Sequence, residues 1–285
     1  MTRRFNAFIV LMIFLIGLPV YWLFFENSTG NAKAEPVTVA NLRKIAASME
    51  GPLPDSIEYE RIAGRYLQRN RYAAGTGFKP TKQQAVSYRI VYPDGTSIII
   101  DTGMTERQAR KAKFGDFDAA AQNRVFKAMA QASQIVTLAS GHPHDGGIRS
   151  IETWRKKKPD GAVIAGEAGE RTDAGPYAIA PGVVLIPATK LGNDARLVYV
   201  NTSDGAEFLF AGAVSNIDLN WKDIRAPARF ETDFGERKDR EAIHSWLMAV
   251  RNLADAAPRL EVVSLNAPPP KTRMHDGFSI VKSEE

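Results

Sequence analysis

The sequence predicts an α/β protein in which helices pack outside two β-sheets, preceded by one membrane-spanning helix. Strand-like apolar runs occur in two clusters, and helical patterns interrupt them. The chain has 285 residues, of which 44% are hydrophobic, an ordinary share for a globular core. Residues 5–25 carry no charge. We therefore expect an anchor followed by one large domain over residues 37–285.

The anchor is predicted from the run FNAFIVLMIFLIGLPVYWLFF at residues 5–25. As a helix, these residues would span roughly 31 Å, the thickness of a bilayer core. Because Arg3 and Arg4 precede the run, the positive-inside rule places residues 1–4 in the cytoplasm. The expected location is thus the cytoplasmic (inner) membrane, with a single pass and the C-terminal domain in the periplasm or outside the cell.

Residues 26–36, ENSTGNAKAEP, are small and polar, which is typical of a linker. This segment also leaves an alternative open. Ala32-Lys33-Ala34 has the A-x-A form of a cleavage site, so the apolar run could instead be a removed signal peptide.

Charge and cysteine content exclude several classes of function. Residues 26–285 carry 35 basic and 32 acidic groups, an excess too small to indicate a nucleic-acid partner. The chain has no cysteine, which excludes disulfides and thiolate metal sites. Any transition-metal site must therefore use Asp, Glu or one of the four histidines, His142, His144, His244 and His275.

The first half of the domain contains a β-hairpin followed by a helix and a short strand. Two β-rich runs within residues 85–103 are joined at Tyr92-Pro93-Asp94-Gly95, a sequence typical of a turn. The other predicted elements are a weak helix over 38–50, a strand of imperfect period over 56–64, a helix over 117–133 and a buried strand over 135–138. We interpret Asp116 and Asp118 as helix-start residues.

The second half contains four more strands and a long helix. The strands are GAVIAG (161–166), GVVLIPA (182–188), RLVYVNT (196–202) and EFLFAGA (207–213), with a hairpin turn at Asp204-Gly205. A helix over about 236–256 carries apolar residues at helical spacing, and His244 within it is expected at the surface or the boundary. The run LEVVSL (260–265) closes the predicted regular structure.

The order of these pieces resembles the metallo-β-lactamase superfamily, and most closely its lactonase-like hydrolases. The resemblance rests on Asp101-Thr102-Gly103 after a strand, on the loop GHPHDGGI at 141–148, and on the phrases VYPDGT, APGVVLIPA and LFAG. It covers residues 55–268. It implies an αββα sandwich, and hydrolysis by a metal-bound hydroxide at the sheet edges. It also implies that Asp101 supports the metal loop from behind.

The metal ligands of that family are mostly replaced in this chain. Its first motif is Thr-His-x-His-x-Asp-His before Gly-Gly, and alignment on Gly146-Gly147 leaves only His144 in a ligand position. A short deletion would let His142 or Asp145 match another ligand. The remaining family ligands fall at Leu191 or its neighbours in IPATKLGND, at Ala213 and at about Asn266, and each substitute is a poor zinc ligand or none.

Two interpretations of His142, His144 and Asp145 stay open. They form a rebuilt mononuclear metal site, helped by His275 or a carboxylate, or they are a remnant. In a remnant, the imidazoles bond loop carbonyls and Asp145 caps a helix beginning near Ile148.

Two functions follow from these interpretations. The first is a membrane-anchored pseudoenzyme: a non-catalytic binding module with no cofactor and a possible small-molecule ligand. The second is a metal-dependent hydrolase of esters or lactones that uses zinc. No serine-elbow, phosphate-loop or Rossmann motif occurs in the chain. Asn216 and Trp221 follow a strand end that would face the cleft, where they would pack or line a pocket.

Overall fold

The computed structural model describes residues 3–141, 143–150, 163–165, 175–188, 190–192, 194–233, 239–270 and 273–279. The strands are β1 Ser56–Gln68, β2 Pro80–Val91, β3 Ser97–Ile100, β4 Gln134–Val136, β5 Val163–Ala165, β6 Tyr177–Ala180, β7 Val183–Pro187, β8 Arg196–Asn201, β9 Glu207–Gly212, β10 Leu260–Ser264 and β11 His275–Asp276. The helices are α1 Arg3–Phe24, α2 Val39–Ala46, α3 Arg69–Tyr72, α4 Glu106–Lys111, α5 Ala119–Gln131, α6 Gly146–Ser150, α7 Asp218–Lys222, α8 Arg229–Asp233 and α9 Arg240–Ala256.

The strands form two sheets, as the sequence predicted. The first sheet has the order β11-β1-β2-β3-β4-β5, and the second has the order β10-β9-β8-β7-β6. The hairpins predicted at residues 92–95 and at Asp204-Gly205 are confirmed, because β2 pairs with β3 and β8 pairs with β9 in antiparallel register. One cluster of buried apolar side chains lies between the sheets. Two further clusters lie between a sheet and helices.

The continuous apolar run of β3 is explained by burial on both of its faces. Successive side chains of a strand point to opposite faces. Ile98 and Ile100 lie in the cluster between the sheets, whereas Ile99 packs in the cluster that contains Val125 of α5. A strand that is covered on both faces needs apolar residues at every position.

The second sheet follows the same rule. In β7, Val183 and Leu185 pack between the sheets, whereas Val184 and Ile186 pack in the cluster with Leu247 of α9. The outer faces of both sheets are thus covered by helices, which gives four layers.

The imperfect period of the first predicted strand has a physical cause. The register of β1 against β2 shifts between Arg61 and Ala63, which marks a β-bulge. The extra residue, Ile62, is fully buried. The alternation of buried and exposed side chains therefore breaks at this point.

Several short elements were missing from the sequence-based prediction, among them β6, β11, α3, α4, α7 and α8. Strand β6 forms the edge of the second sheet, and β11 pairs with β1 beyond the strand that was expected to be last. Helix α4 begins after Thr105, which forms a capping box with Gln108. The Thr-x-x-Gln spacing is a signal that could have revealed α4.

Helix α1 agrees with the predicted anchor in length and composition. Its span Phe5–Phe24 has a mean hydropathy of 2.5 and is long and apolar enough to cross a membrane. A signal sequence near the N-terminus would have the same properties.

Candidate functional site

The candidate site is organised around Asp101, the first residue after β3. Its Oδ1 accepts a hydrogen bond from the backbone N–H of Leu138 at 2.8 Å. Its Oδ2 lies 2.8 Å from Nδ1 of His144. Both Asp101 and His144 are buried, and Asp101 has a φ of 57°. The carboxylate therefore ties the end of β4 and the loop over residues 139–148, called the histidine loop below, to the end of β3.

Thr102 holds the other side of the same loop. Its backbone N–H and its hydroxyl both donate to the carbonyl oxygen of His144, at 2.7 and 2.9 Å. Gly147 lies so close that a Cβ there would come within 2.2 Å of the Thr102 carbonyl oxygen. The glycine is required by this approach of two backbone segments.

The histidine loop begins beside the end of β9. A Cβ on Gly212 would lie 2.8 Å from the Cβ of Leu138, the residue just before the loop. Arg196 of β8 donates its backbone N–H to the Leu138 carbonyl oxygen at 2.9 Å. Ser140 donates to Asp194 Oδ2 at 2.8 Å, which joins the loop to the turn before β8. The strand ends thus meet at one edge, as expected.

A small cavity of about 30 Å³ opens at this edge. Leu191, Ala213, Asn216 and Ile243 are among the residues that line it. Asn266, after β10, donates its backbone N–H to the carbonyl oxygen of Asn216 at 2.8 Å. The cavity holds little more than a water molecule, whereas pockets for small ligands are about 300 to 1,000 Å³.

Comparison with known proteins gives matches among solved structures alone: no family model and no curated protein matches the sequence. A quorum-quenching N-acyl homoserine lactone lactonase matches with a TM-score of 0.57 and 14% identity, over 80% of this chain and 94% of that chain. An N-acyl homoserine lactone hydrolase with N-hexanoyl-L-homoserine at its catalytic metal center matches with a TM-score of 0.56 and 14% identity, over 79% and 94%. A probable metal-dependent hydrolase from Staphylococcus aureus matches with a TM-score of 0.51 and 9% identity, over 76% and 90%.

This chain has the metallo-β-lactamase fold, in its lactonase-like form. The similarity is one of fold, since the identities are low.

The residues at the ligand positions of this fold do not suit a dinuclear zinc centre. Leu191 and Ala213, which the resemblance aligns with a turn histidine and the bridging aspartate, face the small cavity with apolar side chains. Asn266 is buried and pairs with Asn216. Within the described ranges, no group of three or more His, Asp and Glu side chains could hold a metal ion.

The three residues predicted as metal ligands have different outcomes. His142 lies outside the described residues. His144 bonds the Asp101 carboxylate, not a loop carbonyl as the remnant interpretation expected. Asp145 is buried and directly precedes α6, which begins at Gly146, two residues before the predicted start.

Sequence reasoning missed one buried polar group behind the site. Tyr88 of β2 packs edge-to-face on Phe210, with ring centroids 4.8 Å apart. Its hydroxyl has no hydrogen-bond partner among the described residues. Burial, and then the Asp101 carboxylate, raise the pKa of this phenol well above its usual range. The alternation of larger apolar and smaller or polar residues along β2 is the only sequence signal that places the Tyr88 side chain on the inner face of the sheet.

The prediction for His244 was wrong. His244 lies in α9 and is 1% exposed, and neither ring nitrogen has a hydrogen-bond partner in the described part of the chain. Burial, and then the charge of Arg240, lower the pKa of His244 from 6.5 to about 4, while Glu26 opposes this and Arg229 adds to it. Glu26 and Arg229, whose charges act on this pKa, lie outside α9, and helical spacing alone does not reveal such neighbours.

We expect His244 to make the protein acid-sensitive. Because its pKa is lower in the folded state, its contribution to stability is complete above pH 6.5 and is lost as the pH falls toward 4. Between about pH 7 and about pH 5, the loss in the free energy of unfolding should be about 2 kcal/mol. Urea unfolding of the full chain in detergent at each pH measures it, and a His244→Leu variant should lack this loss.

His275 provides the matched control, because it is an exposed histidine. A His275→Leu variant should keep the pH dependence of the wild type. Glu26 does not affect this comparison. Burial raises the pKa of Glu26, but hydrogen bonds from Ser28 and Arg229 lower it by more, so that the pKa falls from 4.5 to about 2. The contribution of Glu26 to stability is therefore lost only as the pH falls below 4.5. Equal pH dependence in His244→Leu and wild type would contradict the assignment.

Proposed function

We propose that this protein is a membrane-anchored, extracytoplasmic binding module that keeps the metallo-β-lactamase fold without zinc hydrolysis. The observation that carries the proposal is the pair of apolar side chains, Leu191 and Ala213, at the cavity where the strand ends meet. A catalytic zinc needs three protein ligands and an open position. A methyl group and an isobutyl group cannot compensate the desolvation of a divalent cation.

The anchor gives the module its location. Helix α1 carries an uncharged span with arginine on its N-terminal side, which supports a single-pass protein of the inner membrane with its domain in the periplasm or outside the cell. The nearly balanced charge of residues 26–285 gives no support to a nucleic-acid partner, and a small-molecule partner would bind outside the cavity of about 30 Å³.

One observation favours the alternative, a metal-dependent hydrolase of esters or lactones with a rebuilt site at His142, His144 and Asp145. Metal-binding histidines commonly donate a hydrogen bond from one ring N–H to a carboxylate, which orients the other ring nitrogen toward the metal. His144 has this arrangement, because Nδ1 faces Asp101 and Nε2 remains as the ligand nitrogen.

Zinc should leave the melting temperature of the full chain in detergent unchanged. A bound metal at about a hundred times its Kd would stabilise the protein by about 2.7 kcal/mol, or about 5 to 10 °C for a domain of this size. The measurement compares excess zinc with a chelator in wild type and in a His142→Ala, His144→Ala double variant. His275→Ala serves as the control for a histidine outside the loop. A zinc-dependent rise in the melting temperature that the double variant loses and His275→Ala keeps would contradict the binding module and support the hydrolase.

A further inference from the structure

The C-terminal end of α1 is bonded directly to the domain. Gly75, in the connection between β1 and β2, donates its N–H to the carbonyl oxygen of Phe24 at 3.0 Å. The side chain of Asn27 donates to the Ile224 carbonyl oxygen at 3.0 Å and accepts from the Ala226 N–H at 2.9 Å. The start of the segment predicted as a linker therefore has defined contacts with the domain.

A buried ion pair reinforces this junction. Glu26 is 8% exposed, and its Oε2 accepts from Nε of Arg229 at 2.6 Å. The guanidinium of the same arginine lies 4.0 Å from the centroid of the Trp22 ring, over the ring face. Arg229 thus contacts one residue within α1 and one residue just beyond its end. Domain and helix are joined as one body at this point.

Two phenylalanines of the domain lie beside the helix end and remain half exposed. The ring of Phe230 stacks on Phe24 with centroids 5.8 Å apart. The ring of Phe78 lies 6.1 Å from Phe24 and 6.4 Å from Phe25. Phe78 is 50% exposed and Phe230 is 47% exposed. We call the two domain segments that carry them, residues 69–79 and 224–233, the rim.

The rim lies beside the C-terminal end of α1, and this position indicates what surrounds its two exposed rings. Phe24 is the last residue of the apolar span, so it marks the level where the hydrocarbon core meets the headgroups. Rings about 6 Å from Phe24 lie close to that level. Trp is enriched at this interface, as Trp22 is here, and Phe rings of interfacial segments insert at the boundary between headgroups and acyl chains. Lys79, exposed next to Phe78, suits anionic headgroups.

We propose that the rim rests in the headgroup layer of the bilayer that α1 spans, with the rings of Phe78 and Phe230 inserted beside the helix. This inference rests on the membrane anchoring proposed above and goes beyond it. An anchor on a flexible linker would leave the domain free to tumble, whereas this junction holds the domain against the surface in one orientation. The candidate cavity, which Pro227 of the rim also lines, is then held close to the membrane.

The absence of cysteine makes a direct depth measurement possible. Full-length single-cysteine variants Phe78→Cys and Phe230→Cys are labelled with a fluorophore and reconstituted into vesicles of phosphatidylethanolamine and phosphatidylglycerol. Some lipids carry a nitroxide quencher just below the headgroup. We expect the labels at both positions to lose most of their fluorescence. Ser203 lies in the exposed turn before β9, at the end of this strand that is remote from the candidate cavity. A label on the control variant Ser203→Cys should keep its fluorescence.

A label at Leu15→Cys, near the middle of the α1 span, separates the two proposals. Because this label would lie about 15 Å from either headgroup layer, its vesicles carry the nitroxide deep in the acyl chains. If Leu15→Cys is quenched by lipid nitroxide while the rim labels behave like Ser203→Cys, the anchor holds and the docked rim is overturned. If Leu15→Cys is also unquenched, the membrane anchoring fails and the rim proposal fails with it.

A second set of variants tests the rings themselves. A label at Lys79→Cys reports the depth of the rim while Phe78→Ser and Phe230→Ser remove both rings. Quenching at Lys79→Cys should then fall below its value with both rings present, although the helix junction still holds the domain near the surface. Met49→Ser, at an exposed apolar residue after α2, should leave it unchanged. Undiminished quenching after loss of both rings would show that they do not insert.

Discussion

Replacing Asp101 with alanine should lower the free energy of unfolding by about 3 to 5 kcal/mol. The substitution leaves the buried N–H of Leu138 and Nδ1 of His144 without their acceptor. It also places a non-glycine residue that lacks a polar side chain at a φ of 57°, which costs about 1 kcal/mol. Urea unfolding of the full chain in detergent measures the change.

The matched variant is Asp101→Asn. An amide oxygen can still accept from Leu138, and asparagine tolerates the left-handed backbone, so the loss should be about 1 kcal/mol. The amide can meet His144 only by donating, which should move the imidazole proton from Nδ1 to Nε2. Nitrogen NMR of the ring reports this tautomer. An alanine variant no less stable than the asparagine variant, or an unchanged tautomer, would contradict the role of Asp101.

Replacing Gly147 with alanine should also cost about 3 kcal/mol or more. Within a helix, alanine is ordinarily more stable than glycine by about 1 kcal/mol. Here the added Cβ would lie 2.2 Å from the carbonyl oxygen of Thr102 and 2.9 Å from its Cβ. Backbone atoms cannot rotate away, so the histidine loop must shift from residues 101–103 and lose the two hydrogen bonds from Thr102 to His144.

Gly115→Ala is the control, since the nearest atom to its Cβ would be the Gly64 carbonyl oxygen at 4.0 Å. That variant should unfold within about 1 kcal/mol of wild type. Urea unfolding of both variants decides the matter. A Gly147→Ala protein as stable as Gly115→Ala would mean that helix propensity outweighs the contact and that the loop is not packed against Thr102.

Part of the site was predictable because it depends on the order of residues along the chain. Asp101 follows a β-rich run and His144 precedes a glycine pair, and the resemblance to the metallo-β-lactamase superfamily, which these residues carry, implied that both lie at one sheet edge. The side chain that faces Asp101 from the neighbouring strand, Tyr88, was not assigned, because a strand pattern shows two faces without saying which group the inner one meets. The cavity beside Leu191 and Ala213 likewise depends on the β7–β8 connection, the end of β9 and α9 meeting in space.

The sequence by itself determined the features that arise within a few residues. The turn at residues 92–95, the N-cap at Asp118 and the burial of β3 on both faces follow from turn chemistry, capping and the period of apolar side chains. Only the tertiary structure decided which residues distant in sequence meet. His244 is buried, and Glu26 pairs with Arg229 203 positions away, because burial depends on the segments that cover a face, and local periodicity carries no information about them.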